Sequence, residues 1–297
     1  MDYQDSPAEI AAAGAADYRD AVLPVDPSGP LYGVVAQGLA LGAPLTLMNS
    51  RTPWNALWDC GQMDAAECRL MLTDTWGVTD EDHWLAVINR LVDGEYGAGE
   101  AYWAVRARTR ARRRLGLRVV DEATWVAEIE TIFADSEQQR FVAPITAAID
   151  EVNRAETIMR AAHVLDIDEQ VAHCDAYDYT RAVSVARWGV RSGWGTPFTV
   201  ANVAVAVARR AALDYTSWRD YALGWDAGRI VTYPDTWGRA FVPSIRAVRS
   251  LLDSPVSPWN NLPFPDPEDA EPSDAEPSDA EPTDPGPSPD GASDPGS

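Results

Sequence analysis

Lysine is absent from this 297-residue chain, and all 24 basic residues are arginine. That absence excludes Schiff-base catalysis and any phosphate loop built on a lysine. Cysteine is scarce: Cys60, Cys68 and Cys174 are an odd number at irregular spacing, which is no disulfide framework. Long apolar runs are missing as well. The longest, "GVVAQGLALGAPLTLM" (33–48), is interrupted by Gln37, Gly38, Gly42 and Pro44, whereas a membrane span needs about 20 apolar residues. The first residues, "MDYQDSPAEI", lack the basic region of a secretory signal, so a cytoplasmic location away from membranes is expected. Gly-x-Ser-x-Gly, His-Glu-x-x-His and a phosphate loop are all lacking, and the turn "GEYGAG" (94–99) has no strand before it. No cofactor is expected.

Positive charge is also in deficit. The net charge is −22, and eleven of the 46 acids lie at or beyond Pro265, where there is no base. The pentad "DAEPS DAEPS DAEPT" (269–283) repeats in that stretch. Proline, acid and serine bury too little apolar surface to offset chain entropy, so residues 265–297 are expected to be a disordered tail. Half of the charge therefore sits in the tail, and the acidic remainder disfavours wholesale nucleic-acid binding.

What is present reads as helix. Residues 31–264 form the body, with 46% of the chain hydrophobic, and residues 1–30 an arm that is partly helical near "PAEIAAAGAADYRDAV". "DEATWVAEIETIFADSEQQRFV" (121–142) repeats apolar residues at steps of three and four, and "FTVANVAVAVARRAALDY" (198–215) is alanine-rich with arginines toward its end. Strands with hairpin turns are not evident, so the fold class is all-α.

An internal echo organises the body. "RLMLTDTWGVTDEDHW" begins at Arg69 and "RAVSVARWGVRSGW" at Arg181; in each, arginine precedes Trp-Gly-Val by seven residues. Seven residues are two helical turns, which sets arginine and tryptophan on one face about 10.5 Å apart. The glycine can cap the helix, and each unit reads as helix, turn, helix. In the second, Trp188 is expected to pack, Gly189 or Gly193 to end the helix, and Trp194 to open the next contact. Asp178 lies three residues before Arg181, whereas the equivalent of Asp178 in the first unit is Ala66.

Four segments resemble the bacterial domain-of-unknown-function family numbered 1266: "YDYTRAVSVARWGVRSGW" (177–194), "TSWRDYALGWDAGR" (216–229), "SPVSPWNNLPF" (254–264) and, more weakly, "LALGAPLTL…TWGVTD" (39–80). The resemblance implies an α-helical bacterial protein and supplies no catalytic residues. One departure is "GTPFTVAN", where Pro197 stands near the start of a helix that opens with acids in the family.

Candidate sites follow from residue types. Asp178 with Arg181 reads either as a base beside an anion clamp or as a buried pair fixing helix register; the second is preferred because no third chemical group stands with them. Asp178 and Arg229 are expected to approach each other. In "SWRDYALGWDAGR", Ser217 is a helix cap with Asp220 in the capping-box position, and Trp218, Tyr221, Trp225 and Arg229 recur on one face. Gly224 and Gly228, four apart, would let another helix come close. Packing is preferred over a ligand site for this face. His173-Cys174 with Cys60 and Cys68 lacks zinc-site spacing, and buried, inert thiols are expected. "AYWAVRARTRARRRLGLR" (101–118) is one basic island: Arg106, Arg108, Arg110, Arg112, Arg113, Arg114 and Arg118. It reads as a solvated helix paired with the protein's own acids, or as a nucleic-acid or acidic-partner surface. The leading functional reading is a non-enzymatic interaction or regulatory protein with a protein partner. The alternatives are a hydrolase on a small anionic substrate using Asp178, Arg181 and Arg229, and polyanion binding through Arg106–Arg118 masked by the tail.

Overall fold

Helices begin where the sequence supplies side-chain caps. Ser6 and Glu9 form a reciprocal capping box, as do Asp64 and Glu67, while Asp80, Asp121 and Ser217 each accept a backbone N–H of the first turn. The computed structural model describes residues 6–49, 52–59, 61, 63–97, 99–233 and 241–267. Its helices are α1 (Pro7–Ala15), α2 (Gly33–Leu41), α3 (Ala43–Asn49), α4 (Ala65–Trp76), α5 (Glu81–Val92), α6 (Glu100–Leu115), α7 (Glu122–Ile132), α8 (Val142–Ala147), α9 (Ile149–Ala161), α10 (Ala176–Arg191), α11 (Pro197–Asp214), α12 (Trp218–Thr232), α13 (Phe241–Asp253) and α14 (Pro258–Asn261), with a 3-10 turn at Gln139–Phe141. Among the described residues there is no strand, and no helix is long and apolar enough to cross a membrane. The pentad repeats and the rest of the tail from residue 268 lie outside the described residues.

Two apolar cores are built side by side. The first gathers α2, α4, α5, α10 and α11 with the final segment around Trp259 and Leu262. The second gathers α1 and α6 to α9. Helix α12 joins them, giving Tyr221, Ala222 and Trp225 to the first core and Leu223, Ala227, Ile230 and Val231 to the second; α13 divides in the same way. The arm is docked rather than free. Ile10 and Ala13 are buried in the second core, and Leu23 in the first.

The helix expected over 121–142 is two helices. It stops at Ile132, and Asp135 turns its carboxylate onto the Glu137 N–H at 3.3 Å. Aspartate and serine satisfy such turns locally, which outweighs an apolar repeat that runs through them. The alanine-rich stretch is helical as expected, from Pro197 to Asp214. Pro197 takes the first turn, where its missing N–H leaves nothing unpaired.

Candidate functional site

Helix α10 sits at the centre of the first core, and its residues from Ala176 to Gly189 are buried on all sides although five of them are polar or charged besides the tyrosines. Each of those five has a partner. Thr180 donates to the Leu41 carbonyl at 2.9 Å and Ser184 to Thr180 O at 3.3 Å. Arg187 donates to Ala56 O and Thr46 Oγ1 at 2.9 Å and to Trp54 O at 2.5 Å, tying the loop after α3 to the helix. The remaining two are Asp178 and Arg181.

Asp178 is fully buried. One carboxylate oxygen accepts from Arg181, and the other accepts the Gly97 N–H at 2.8 Å. Burial pushes the Asp178 carboxyl above its ordinary value against the opposing pull of Arg181 and Gly97. The Arg181 guanidinium lies 4.3 Å from the Tyr177 ring centre, 5.3 Å from Tyr96 and 5.4 Å from Trp76. Three aromatic faces and one carboxylate replace part of its lost hydration, while its buried Nε has no hydrogen-bond partner among the described residues. The turn 94–99 is therefore more than a turn: it supplies a ring and a backbone donor that close the site. A side chain at Gly97 would press within 2.9 Å of both Asp178 Oδ1 and the Tyr102 hydroxyl.

Arg229 joins this group through aromatic rings. Its guanidinium is 6.0 Å from the Tyr177 ring centre and 5.9 Å from Trp225. The expected approach to Asp178 is an indirect one through Tyr177, and no ion pair links the two residues. Trp188 packs in the first core, as does Trp218, which stacks on Trp259 at 5.4 Å between ring centres and 14° between planes. The Trp218 indole donates to Leu262 O at 2.9 Å, and the Trp259 indole to Ala40 O at 2.9 Å. The Tyr221 hydroxyl lies 3.1 Å from the carbonyls of Leu41 and Ala176 and 2.9 Å from the Thr180 hydroxyl. Ser217 caps α12 through the Asp220 N–H, but the Asp220 carboxylate turns to Thr216 N at 3.1 Å instead of completing a box. Asp178, Arg181, Trp188, Trp218, Tyr221 and Arg229 thus form contacts strung along α10 and α12 and not one cleft.

The echo has a physical counterpart. Arg69 lies 5.8 Å from the ring centre of Trp194, and Arg181 lies over Trp76. The arginine of each unit stacks on a tryptophan of the other, so α4 and α10 run antiparallel. Arg69 also donates to the Ser192 carbonyl. The two units differ in burial: Arg69 is at the solvent edge and Arg181 is inside. Inside the core Asp178 compensates the Arg181 guanidinium, whereas at the solvent edge water does so for Arg69, and the position equivalent to Asp178 is Ala66. The glycines differ too. Gly77 caps α4 with φ 67°, as expected, but Gly189 is helical and the chain turns at Gly193, with φ 89°. Gly189 instead makes room for the Trp84 indole, which donates to Val185 O at 2.9 Å. Gly224 and Gly228 let the segment before α10 cross α12: a Cβ at Gly224 would lie 2.6 Å from His173 O, and one at Gly228 would press on the Cys174 carbonyl.

The basic island is not a solvated helix throughout. Arg108 is wholly buried, 4.4 Å from the Trp125 ring centre and 2.5 Å from Glu156 Oε1. Arg106 pairs with buried Asp175 at 2.5 Å; Arg110 and Arg114 share buried Glu128 at 3.3 and 2.6 Å; Arg118 meets Asp168 at 3.0 Å. Arg112 donates to Gln170 O at 3.1 Å, and Arg113 lies 3.5 Å from His173 Nε2. Those two line a cleft of about 510 Å³ together with Arg219, Glu169, Asp214 and Asp220. Internal acids thus engage most of the island. Cys68 and Cys174 are buried, and burial pushes both thiols up, Cys68 to about 11; Cys60 lies outside the described residues.

One buried acid escaped sequence reasoning. Asp226 on α12 is 1% exposed, its Oδ1 accepts from the Ser244 hydroxyl at 2.6 Å, and its Oδ2 has no hydrogen-bond partner among the described residues. Burial drives its carboxyl up to about 7, with Ser244 and the charge of Arg229 opposing. A carboxyl raised on folding holds its proton in the folded state after the unfolded chain has released it near pH 4. Its contribution to stability is complete below pH 4 and is lost as pH rises to about 7. Stability should fall by on the order of 4 kcal/mol across that window through this group alone. Urea unfolding between pH 4 and 8 checks it: the slope should flatten in Asp226→Asn, and an unchanged slope would refute the assignment.

A family model described as "Protein of unknown function (DUF1266)" matches residues 71–264. It takes in α10, α12 and the Trp259 segment whole, and in the first unit begins two residues after Arg69. No curated protein and no solved structure matches the chain.

Proposed function

The chain belongs to the DUF1266 family of unknown function, and from that premise we propose that it is a non-enzymatic α-helical interaction or regulatory protein, working in the cytoplasm, whose motif residues hold its helices together. The observation that carries this reading is the closure of Asp178: it is fully buried, with both oxygens engaged by Arg181 and Gly97. A base must be within reach of a substrate, and burial closes this one off. On the same reading the two helix–turn–helix units are related copies, and their crossed arginine–tryptophan stacks are what the motif conserves in space.

The partner surface on this reading is an aromatic ladder on α6 to α8. Trp103 and Phe141 are 40% and 43% exposed, Phe133 bridges them at 5.8 and 6.3 Å between ring centres, Arg106 lies 5.2 Å from the Trp103 ring centre and Arg140 4.7 Å from that of Phe141. Exposed aromatics beside arginine are the chemistry enriched at protein interfaces, and the exposed Arg140 guanidinium favours an acidic protein segment. The test is stoichiometric capture from the native host by the full chain, by a chain lacking residues 268–297, and by Trp103→Ala with Phe141→Ala. The expected result is a partner held by the first two and lost at least tenfold by the third. A partner held equally by all three, or none at all, contradicts the reading.

The alternatives gain less support. The hydrolase reading needs Asp178, Arg181 and Arg229 around a substrate, where aromatic rings lie instead. Among the described residues, tail-masked polyanion binding keeps only Arg112 and Arg113 of the island without a carboxylate partner.

A further inference from the structure

A cavity of about 420 Å³ opens between the end of α9, α12 and α13. Its volume falls in the range of small-molecule sites. Leu223, Val248 and Leu252 give it apolar walls, and Asp226 lines it. The Oδ1 of Asp226 is held by Ser244, while Oδ2 is buried without a donor. Native proteins rarely leave a buried carboxylate oxygen unmet, and one beside a cavity calls for a donor from what fills it. The two arginines on the wall are already engaged. Arg249 donates to Asp253 at 2.8 and 3.1 Å and to Gly14 O at 3.1 Å; Arg219 pairs with Glu169 at 2.5 Å and Asp166 at 3.5 Å. With Asp166, Asp226 and Asp253 against those two arginines, the wall has an acidic surplus.

We propose that this cavity binds a small organic ammonium ligand, its N–H donating to Asp226 Oδ2 and its apolar body lying along Leu223, Val248 and Leu252. An ammonium group supplies both the missing donor and the missing positive charge, whereas a neutral alcohol supplies only the donor.

The test titrates the full chain at pH 7.5 with n-pentylamine and, as a neutral match in size, n-pentanol, read by ligand-observed NMR. Saturable amine binding is expected, at least tenfold tighter than that of the alcohol, and weakened at least tenfold in Asp226→Asn. Leu252→Trp fills the half-buried rim without touching the carboxyl and is expected to abolish amine binding, so it decides the matter should Asp226→Asn fail to fold. Equal binding of amine and alcohol, amine binding unchanged in the variants, or no saturable binding up to millimolar amine, the result if the cavity holds water only, would each overturn the proposal.

Discussion

Asp178→Ala is expected to lower folding stability by about 3–5 kcal/mol, the scale for removing one partner of a buried ion pair. The loss comes from what stays behind. Arg181 remains enclosed by Trp76, Tyr96 and Tyr177 with no counter-charge, and the Gly97 N–H loses its acceptor. Ring faces stabilise a guanidinium by about 0.5–2 kcal/mol each at best, too little to offset the loss of a carboxylate away from water. The control is the other unit. Arg69→Gln removes a solvent-edge stack and one hydrogen bond, and it should cost about 1 kcal/mol. Urea midpoints of the two variants, at an unchanged slope, check the contrast. Equal effects would mean that burial is not what distinguishes the copies.

Gly189→Ala should cost about 3 kcal/mol, although alanine is the better helix former by about 1 kcal/mol. The added methyl would sit inside the contact radius of the Trp84 indole, a wholly buried ring held by its bond to Val185 O. Neither the ring nor α10 has room to withdraw. Gly77 follows the tryptophan of the other unit and faces open space, so Gly77→Ala pays only the left-handed backbone cost of about 1–2 kcal/mol. Thermal unfolding of both variants, with Trp84→Phe as a relieving partner for Gly189→Ala, checks this. A Gly189→Ala protein as stable as the parent would refute the close approach.

The sequence made some of this legible. The seven-residue arginine–tryptophan spacing falls on two helices, α4 and α10, and Ser217 and Gly77 act as the caps their residue types suggest. What stayed hidden was partnership across distance. Gly97, Tyr96 and Trp76 reach Asp178 and Arg181 from elements far along the chain, and no local pattern announces them. Arg108 is a partial exception. It falls on the stripe Ala101, Ala104, Val105, Arg108, Ala111, all buried, so helical spacing alone sets it facing inward. The count of arginines in the island concealed that position. Of the two glycines that could end α10, Gly193 does so, and only the packing of Trp84 reveals that Gly189 serves close approach instead. The 121–142 helix failed because apolar periodicity persisted through the Asp135 turn.

The central claim, that the Asp178–Arg181 motif holds the fold and does not act on a substrate, is tested most directly by a double-mutant cycle in urea. Asp178→Asn and Arg181→Met are each expected to destabilise strongly, and the combined variant to recover at least half of the summed loss, because a neutral pair leaves no unmatched buried charge. Additive losses, or single variants as stable as the parent, would contradict it.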